Sequence, residues 1–163
     1  MADVLVPKNF TSPTHGQMSW EDALAKMAWF MDLDREASYA VIIGTDSEAV
    51  NGESDFVSAL IVHKKGRGGV YFWGRQKISH LHSMKQRIWQ EATISLNLAQ
   101  NLVDDFAKIG LFDLNLEIHV DIGPRGKTRE LISDIVGMIR ANGFKVATKP
   151  SSWGASHVAD RHV

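Results

Sequence analysis

Met84, Ile88, Ala92, Ser95, Leu96, Ala99, Leu102, Val103 and Phe106 recur at spacings that keep them on one face of a helix, and Gly110 follows as a stop signal. A helix of about seven turns with a single apolar stripe must lay that stripe against another layer. Its flanks identify the layer. Residues 39–45 form a short, branched, apolar run that reads as a buried strand ending at Asp46, and 56–63 and 70–76 read as two more strands. The turn Lys64-Lys65-Gly66-Arg67-Gly68-Gly69 joins the last two as an antiparallel hairpin. Beyond the long helix come a strand at 114–121, a helix at 127–141 closed by Asn142-Gly143, a strand at 144–148 and a last helix from Ala155. Strand and helix alternating in this way imply parallel pairing through right-handed crossovers. The expected fold class is therefore α/β: a mixed five-stranded sheet, three antiparallel strands then two parallel ones, with helices on both faces.

Ahead of the sheet, Ser19 followed three residues later by Asp22 reads as a helix N-cap, with Trp20, Leu24, Met27, Ala28 and Met31 at helical spacing behind it. No repeat or linker divides the 163 residues, so one domain is expected, a helical extension over 1–38 and a core over 39–163. With 44% apolar residues the chain has material for a core of its own. No apolar run approaches the ~20 residues of a membrane helix, and residues 1–16 lack the pattern of a secretory leader, so a cytoplasmic protein with no membrane partner is expected. The absence of cysteine excludes disulfide scaffolds and thiol catalysis; any metal must sit on carboxylates or histidines. Nothing in the sequence sets an oligomeric state.

The net charge of −1 conceals a segregated pattern. Residues 1–55 hold three Lys/Arg against ten Asp/Glu, whereas 56–90 hold seven against none: Lys64, Lys65, Arg67, Arg75, Lys77, Lys85 and Arg87. Tyr71, Phe72 and Trp73 lie within that block. Cations that displace counter-ions from phosphates, with aromatic faces that stack bases, suit a nucleic acid, DNA or RNA alike. The same residues also suit a solvated hairpin with an aromatic core strand.

Four acids interrupt apolar contexts. Asp46 and Asp121 end strands, Glu91 borders the stripe of the long helix, and Asp160 lies on the last helix. Carboxyl ends of parallel neighbours share one edge of a sheet, where sites in open α/β sheets form. Acids gathered there repel one another, and a hard divalent cation, Mg²⁺ or Mn²⁺, resolves the conflict. Two such ions would activate water and stabilise the leaving oxygen in phosphodiester cleavage. Each acid also has a bland role open to it: a turn former at Asp46 or Asp121, a partner of Arg87 at Glu91, a neighbour of Arg161 at Asp160.

The segments IIGTDSE, GRGGVYFWGR, RIWQEA, EIHVDIGPRGKTRELI, GMIRANGF and KPSSWGASHVAD, spread from Tyr39 to Asp160, resemble the YkuK family of the ribonuclease H-like superfamily. The resemblance implies a ribonuclease H-like fold and a DEDD-type site with Asp46, Glu91, Asp121 and Asp160 as metal ligands. His157, three residues before Asp160, resembles the histidine near the last acid of resolvase-like relatives, as a ligand, a proton shuttle or the fourth member of the site.

Other patterns compete. Asp121-Ile-Gly-Pro-Arg-Gly-Lys-Thr128 imitates a P-loop but lacks its spacing; a milder version has Lys127 and nearby backbone N–H groups holding a substrate phosphate at a helix start. His80 and His82 fit a basic surface, and His119 a satisfied buried residue near the site. Glu48 reads as a solvent-facing turn residue, and Trp153 as packing under the last helix. Two functions follow as expectations. The first is a divalent-metal-dependent nuclease whose substrate lies on Lys64, Lys65, Arg67, Arg75, Lys77, Arg87 and Lys127. The second is a catalytically silent nucleic-acid-binding module of the same fold.

Overall fold

The structure is a computed structural model that describes residues 6–126, 129–149, 151–152, 158–159 and 162. Two short strands come first, β1 (Asn9–Ser12) and β2 (Gly16–Ser19), paired as a hairpin. Ser19 then caps α1 (Trp20–Asp32), its Oγ accepting from the Asp22 backbone N–H. β3 (Tyr39–Val50), β4 (Glu53–Lys64) and β5 (Gly69–Ser79) form a long antiparallel meander. α2 (Met84–Lys108) opens with a reciprocal capping box between Ser83 and Gln86 and is followed by Gly110 at φ +81°. β6 (Leu116–His119), a turn of 3-10 helix at Arg129–Leu131, α3 (Ile132–Ala141) and β7 (Lys145–Ala147) complete the described elements.

Among the described residues the sheet has seven strands in the order β2-β1-β5-β4-β3-β6-β7, with β6 and β7 parallel to β3. The expected meander and parallel pair are present; the five-strand count is corrected to seven, and the segment 1–38 is not simply helical. The two added strands have four residues each, NFTS and GQMS, with no β-branched run to announce them.

Alternation along β4 places Phe56, Ser58, Leu60 and Val62 on one face and Val57 and Ala59 on the other, all of them buried. The first face belongs to one continuous core with Ala23 and Met27 of α1, Leu98, Leu102 and Phe106 of α2, and Ile135 and Ile139 of α3. Trp20 Nε1 donates to Asp105 Oδ2 at 2.8 Å, tying α1 to α2. On the second face Val57 and Ala59 pack against Ala159, flanked by Trp73 and Val158, so that helical residues near the C-terminus cover part of the sheet's back. Among the described residues no helix is long and apolar enough to cross a membrane.

Candidate functional site

β3 pairs with β4 through Val50, but with β6 only as far as Gly44, where its register partner is His119. Past that point the chain leaves β6, and among the described residues no strand pairs with that edge of β3 from Thr45 onward. A pocket of about 400 Å³ fills this gap at the carboxyl ends of the parallel strands, as the topology dictates. Asp46 and Ser47 reach it from β3, Asp121 from the end of β6, Arg87, Ile88 and Glu91 from α2, and Arg125, Gly126 and Lys149 from the loops that follow β6 and β7. The structure thus brings together Asp46, Glu91 and Asp121.

The position of α2 depends on a buried hydroxyl cluster. Thr45 Oγ1 lies 2.9 Å from Ser58 Oγ and 2.8 Å from Ser95 Oγ, so β3, β4 and the helix share one hydrogen-bonded knot. One turn before Ser95, Glu91 Oε1 accepts from Ser47 Oγ at 2.6 Å. Burial pushes the Glu91 carboxyl up to about 8, the negative charges of Asp46 and Asp121 push the same way, and the Ser47 hydrogen bond and Arg87 oppose them. Arg87 Nη1 donates to the Ser47 carbonyl at 3.4 Å, which keeps the guanidinium on the pocket wall. Asp46 Oδ1 accepts from the Ser47 backbone N–H at 2.9 Å. Asp121 Oδ1 pairs with Lys149 Nζ at 2.8 Å.

The donor set is chemically suited to Mg²⁺ or Mn²⁺: three carboxylates and a hydroxyl, all hard oxygens, with a repulsion among the acids that a cation would relieve. Among the described residues, however, no three His, Asp or Glu side chains stand close enough together to hold an ion. Asp160 and His157 lie outside the described residues, as does Lys127. Their neighbour Ala159 packs on Val57, the register partner of Asp46.

The basic residues do not form one surface. Lys64 pairs in register with Tyr39, so Lys64, Lys65 and Arg67 sit about 24 Å along the strands from Asp46, at the opposite end of the sheet. Lys64 Nζ is engaged there with Asp34 at 2.8 Å. The expectation of a basic hairpin tip beside the acids is therefore corrected: a β-hairpin separates its turn from its open end by the full strand length. Arg75 and Lys77 lie at the level of the acids, in register with Val57 and Asp55, but two strands away. Arg75 Nε is 3.4 Å from Asp55, its guanidinium lies 5.9 Å from the Trp73 ring centre, and Nη2 donates to the His162 carbonyl. Of the basic block, Arg87 lines the pocket.

His119 is buried, with Nε2 2.9 Å from Glu117 Oε1, while its Nδ1 makes no hydrogen bond among the described residues. His82 belongs to the start of α2, where its backbone N–H donates to Gln86 Oε1. Sequence reasoning passed over Ser47, Arg125 and Lys149. Lys149 was legible in principle, because it follows a parallel strand just as Asp121 does; Ser47 and Arg125 had no such signal.

A family profile described as Ribonuclease H-like matches residues 22–163. The uncharacterised protein YkuK of Bacillus subtilis (strain 168) is 31% identical over 167 residues, covering 93% of this chain and 95% of that protein. Two solved structures share weaker likeness. The N-terminal ribonuclease H domain of a Mycobacterium tuberculosis protein is 14% identical over 76% of this chain and 93% of its own, with a TM-score of 0.36. Ribonuclease H1 of Halobacterium salinarum NRC-1 is 13% identical over 76% of this chain and 99% of its own, with a TM-score of 0.34.

Proposed function

The chain belongs to the YkuK family of the ribonuclease H-like superfamily, and from that premise we propose that it is a divalent-metal-dependent nuclease whose centre is the pocket between β3, α2 and β6. The observation that carries the reading is the arrival of Asp46, Glu91 and Asp121, from three separate elements, at one pocket whose other charged walls are Arg87, Arg125 and Lys149. A structural turn former needs no such company. Acids facing bases at the carboxyl edge of a parallel sheet suit a ligand that carries phosphate together with a hard cation.

Mg²⁺ or Mn²⁺, when bound, supplies neutralisation of the phosphodiester oxygens and acidification of the attacking water. Asp46 and Asp121 are the ligands we assign first, with Glu91 beside them and Asp160 or His157 to complete the set. Ser47 fixes the Glu91 carboxyl by its hydrogen bond, and Arg87, anchored on the Ser47 carbonyl, presents a charge to the strand being bound. Arg125 extends that binding from the loop after β6, and Arg75 and Lys77 from β5; Lys127 is assigned to the same role from its place in the sequence. The second reading, a binding module without catalysis, draws on the pairing of Asp121 with Lys149 and on the lack of a three-ligand cluster among the described residues.

The two readings separate in one experiment. A labelled panel of single-stranded, duplex, hybrid and branched nucleic acids is incubated with Mg²⁺ or Mn²⁺ and the wild-type protein, Asp46→Asn or Asp121→Asn. Cleavage by the wild type alone supports the nuclease and names its substrate; salt-sensitive binding without cleavage supports the binding module.

A further inference from the structure

Lys149 is an unusual surface lysine because its conformation is held from three sides. Its backbone N–H donates to the Ile122 carbonyl at 2.8 Å, and Val120 N–H donates to the Ala147 carbonyl at 3.0 Å, so the β6 and β7 chains remain clamped beyond the ends of the strands. Its aliphatic stem then crosses Gly123. A Cβ built on that glycine would stand 3.0 Å from Lys149 Cβ, 3.5 Å from Cδ and 3.8 Å from Cγ, so a side chain at 123 would press on the stem. The ammonium ends 2.8 Å from Asp121 Oδ1 with more than half of the side chain still exposed to water.

We propose that Lys149 is a built-in counter-ion of Asp121 that a divalent cation must displace, so that this lysine sets how tightly the pocket takes its metal. The inference rests on the metal-site reading above. An exposed ion pair normally contributes little because two long side chains must be immobilised to form it. Here the stem runs close alongside Gly123, which narrows its conformational freedom, lowers that entropic cost and leaves more of the Coulomb attraction to oppose an incoming ion. Three formal cations, Arg87, Arg125 and Lys149, face three acids in the pocket, and Lys149 forms a direct ion pair with Asp121. Its exposure provides the exit route, since the ammonium can swing into water without repacking the core.

The test is calorimetric titration of the full chain with Mn²⁺ alone, without nucleic acid, at one pH and ionic strength. Lys149→Met keeps the stem over Gly123 and removes the charge; Lys149→Arg keeps a charge; Arg125→Met removes a charge from the same pocket without touching Asp121. Five- to tenfold tighter Mn²⁺ binding by Lys149→Met is expected, with Lys149→Arg within threefold of wild type and Arg125→Met within twofold. Gly123→Ala, which disturbs the stem alone, is expected to tighten Mn²⁺ binding in the same direction, and thermal unfolding checks that each variant is folded. Equal affinities for wild type and Lys149→Met overturn the displacement mechanism while leaving the metal site standing. Equal tightening by Lys149→Met and Arg125→Met overturns it as well, since the effect is then a general one of charge. Folded wild type and Lys149→Met that both fail to bind Mn²⁺ overturn the metal site and this inference together.

Discussion

The Glu91 carboxyl is held well above its ordinary range, and the cause is local: burial on α2, with Asp46 and Asp121 adding negative charge. The folded protein therefore retains a proton that the unfolded chain releases near the ordinary carboxyl value of 4.5. Wherever the native state binds more protons, stability falls as pH rises. For the metal-free protein, this contribution is greatest below about 4.5 and is lost progressively as pH climbs through about 8. Urea denaturation between pH 5 and 8.5 should show that decline, and Glu91→Gln should flatten it; equal slopes in the two proteins would contradict the assignment. Thr45 offers a second test at this scale. Thr45→Val retains the shape but leaves the buried hydroxyls of Ser58 and Ser95 without their shared partner, and a loss of about 1–3 kcal/mol is expected in denaturant unfolding.

At the scale of elements, the β1–β2 hairpin depends on a glycine in a distant strand. A Cβ on Gly74 of β5 would stand 2.6 Å from Pro7 Cβ and 2.9 Å from the Asn9 carbonyl oxygen, so only glycine lets the N-terminal segment cross there. β1 pairs with β5 at a single register position, Thr11 with Trp73, and a small displacement is enough to break it. Gly74→Ala should cost about 1–3 kcal/mol. It should also raise amide hydrogen exchange over 9–19 while leaving the long β3–β4 ladder protected, and uniform loss of protection would show that the hairpin is not a separate element. The hairpin was invisible in the sequence because its strands are short and its pairing is decided by Gly74, some 55 positions away from Ser19. The long strands and α2 were legible, because apolar periodicity and the Ser83 and Gly110 boundary signals agree over many residues.

Over the whole molecule, charge placement separates the cations at the hairpin tip from Arg87 at the pocket. Lys65 and Arg67 lie beyond the far end of the β3–β4 ladder, whereas Arg87 lines the acidic pocket. Nucleic-acid affinity measured by fluorescence anisotropy at several salt concentrations should change less than about twofold for Lys65→Ala with Arg67→Ala. Arg87→Ala should weaken binding about tenfold and reduce the salt slope by about one. The reverse ranking would move the binding surface to the hairpin tip. The seven-to-none basic block thus reads as one patch along the chain and as three separate places in space. Sequence alone determined the element types, the meander followed by parallel crossovers, and the family, because periodicity, turn residues and long motifs are local properties. It also marked Asp46, Glu91 and Asp121 as acids interrupting apolar contexts, a property readable along the chain. Only the tertiary structure decided that Ser47, Arg125 and Lys149 join them, that β1 and β2 extend the sheet, and that the Lys64–Arg67 turn lies far away. Those outcomes depend on strand register and on how far each pairing extends, and both are set by contacts between residues remote in the chain.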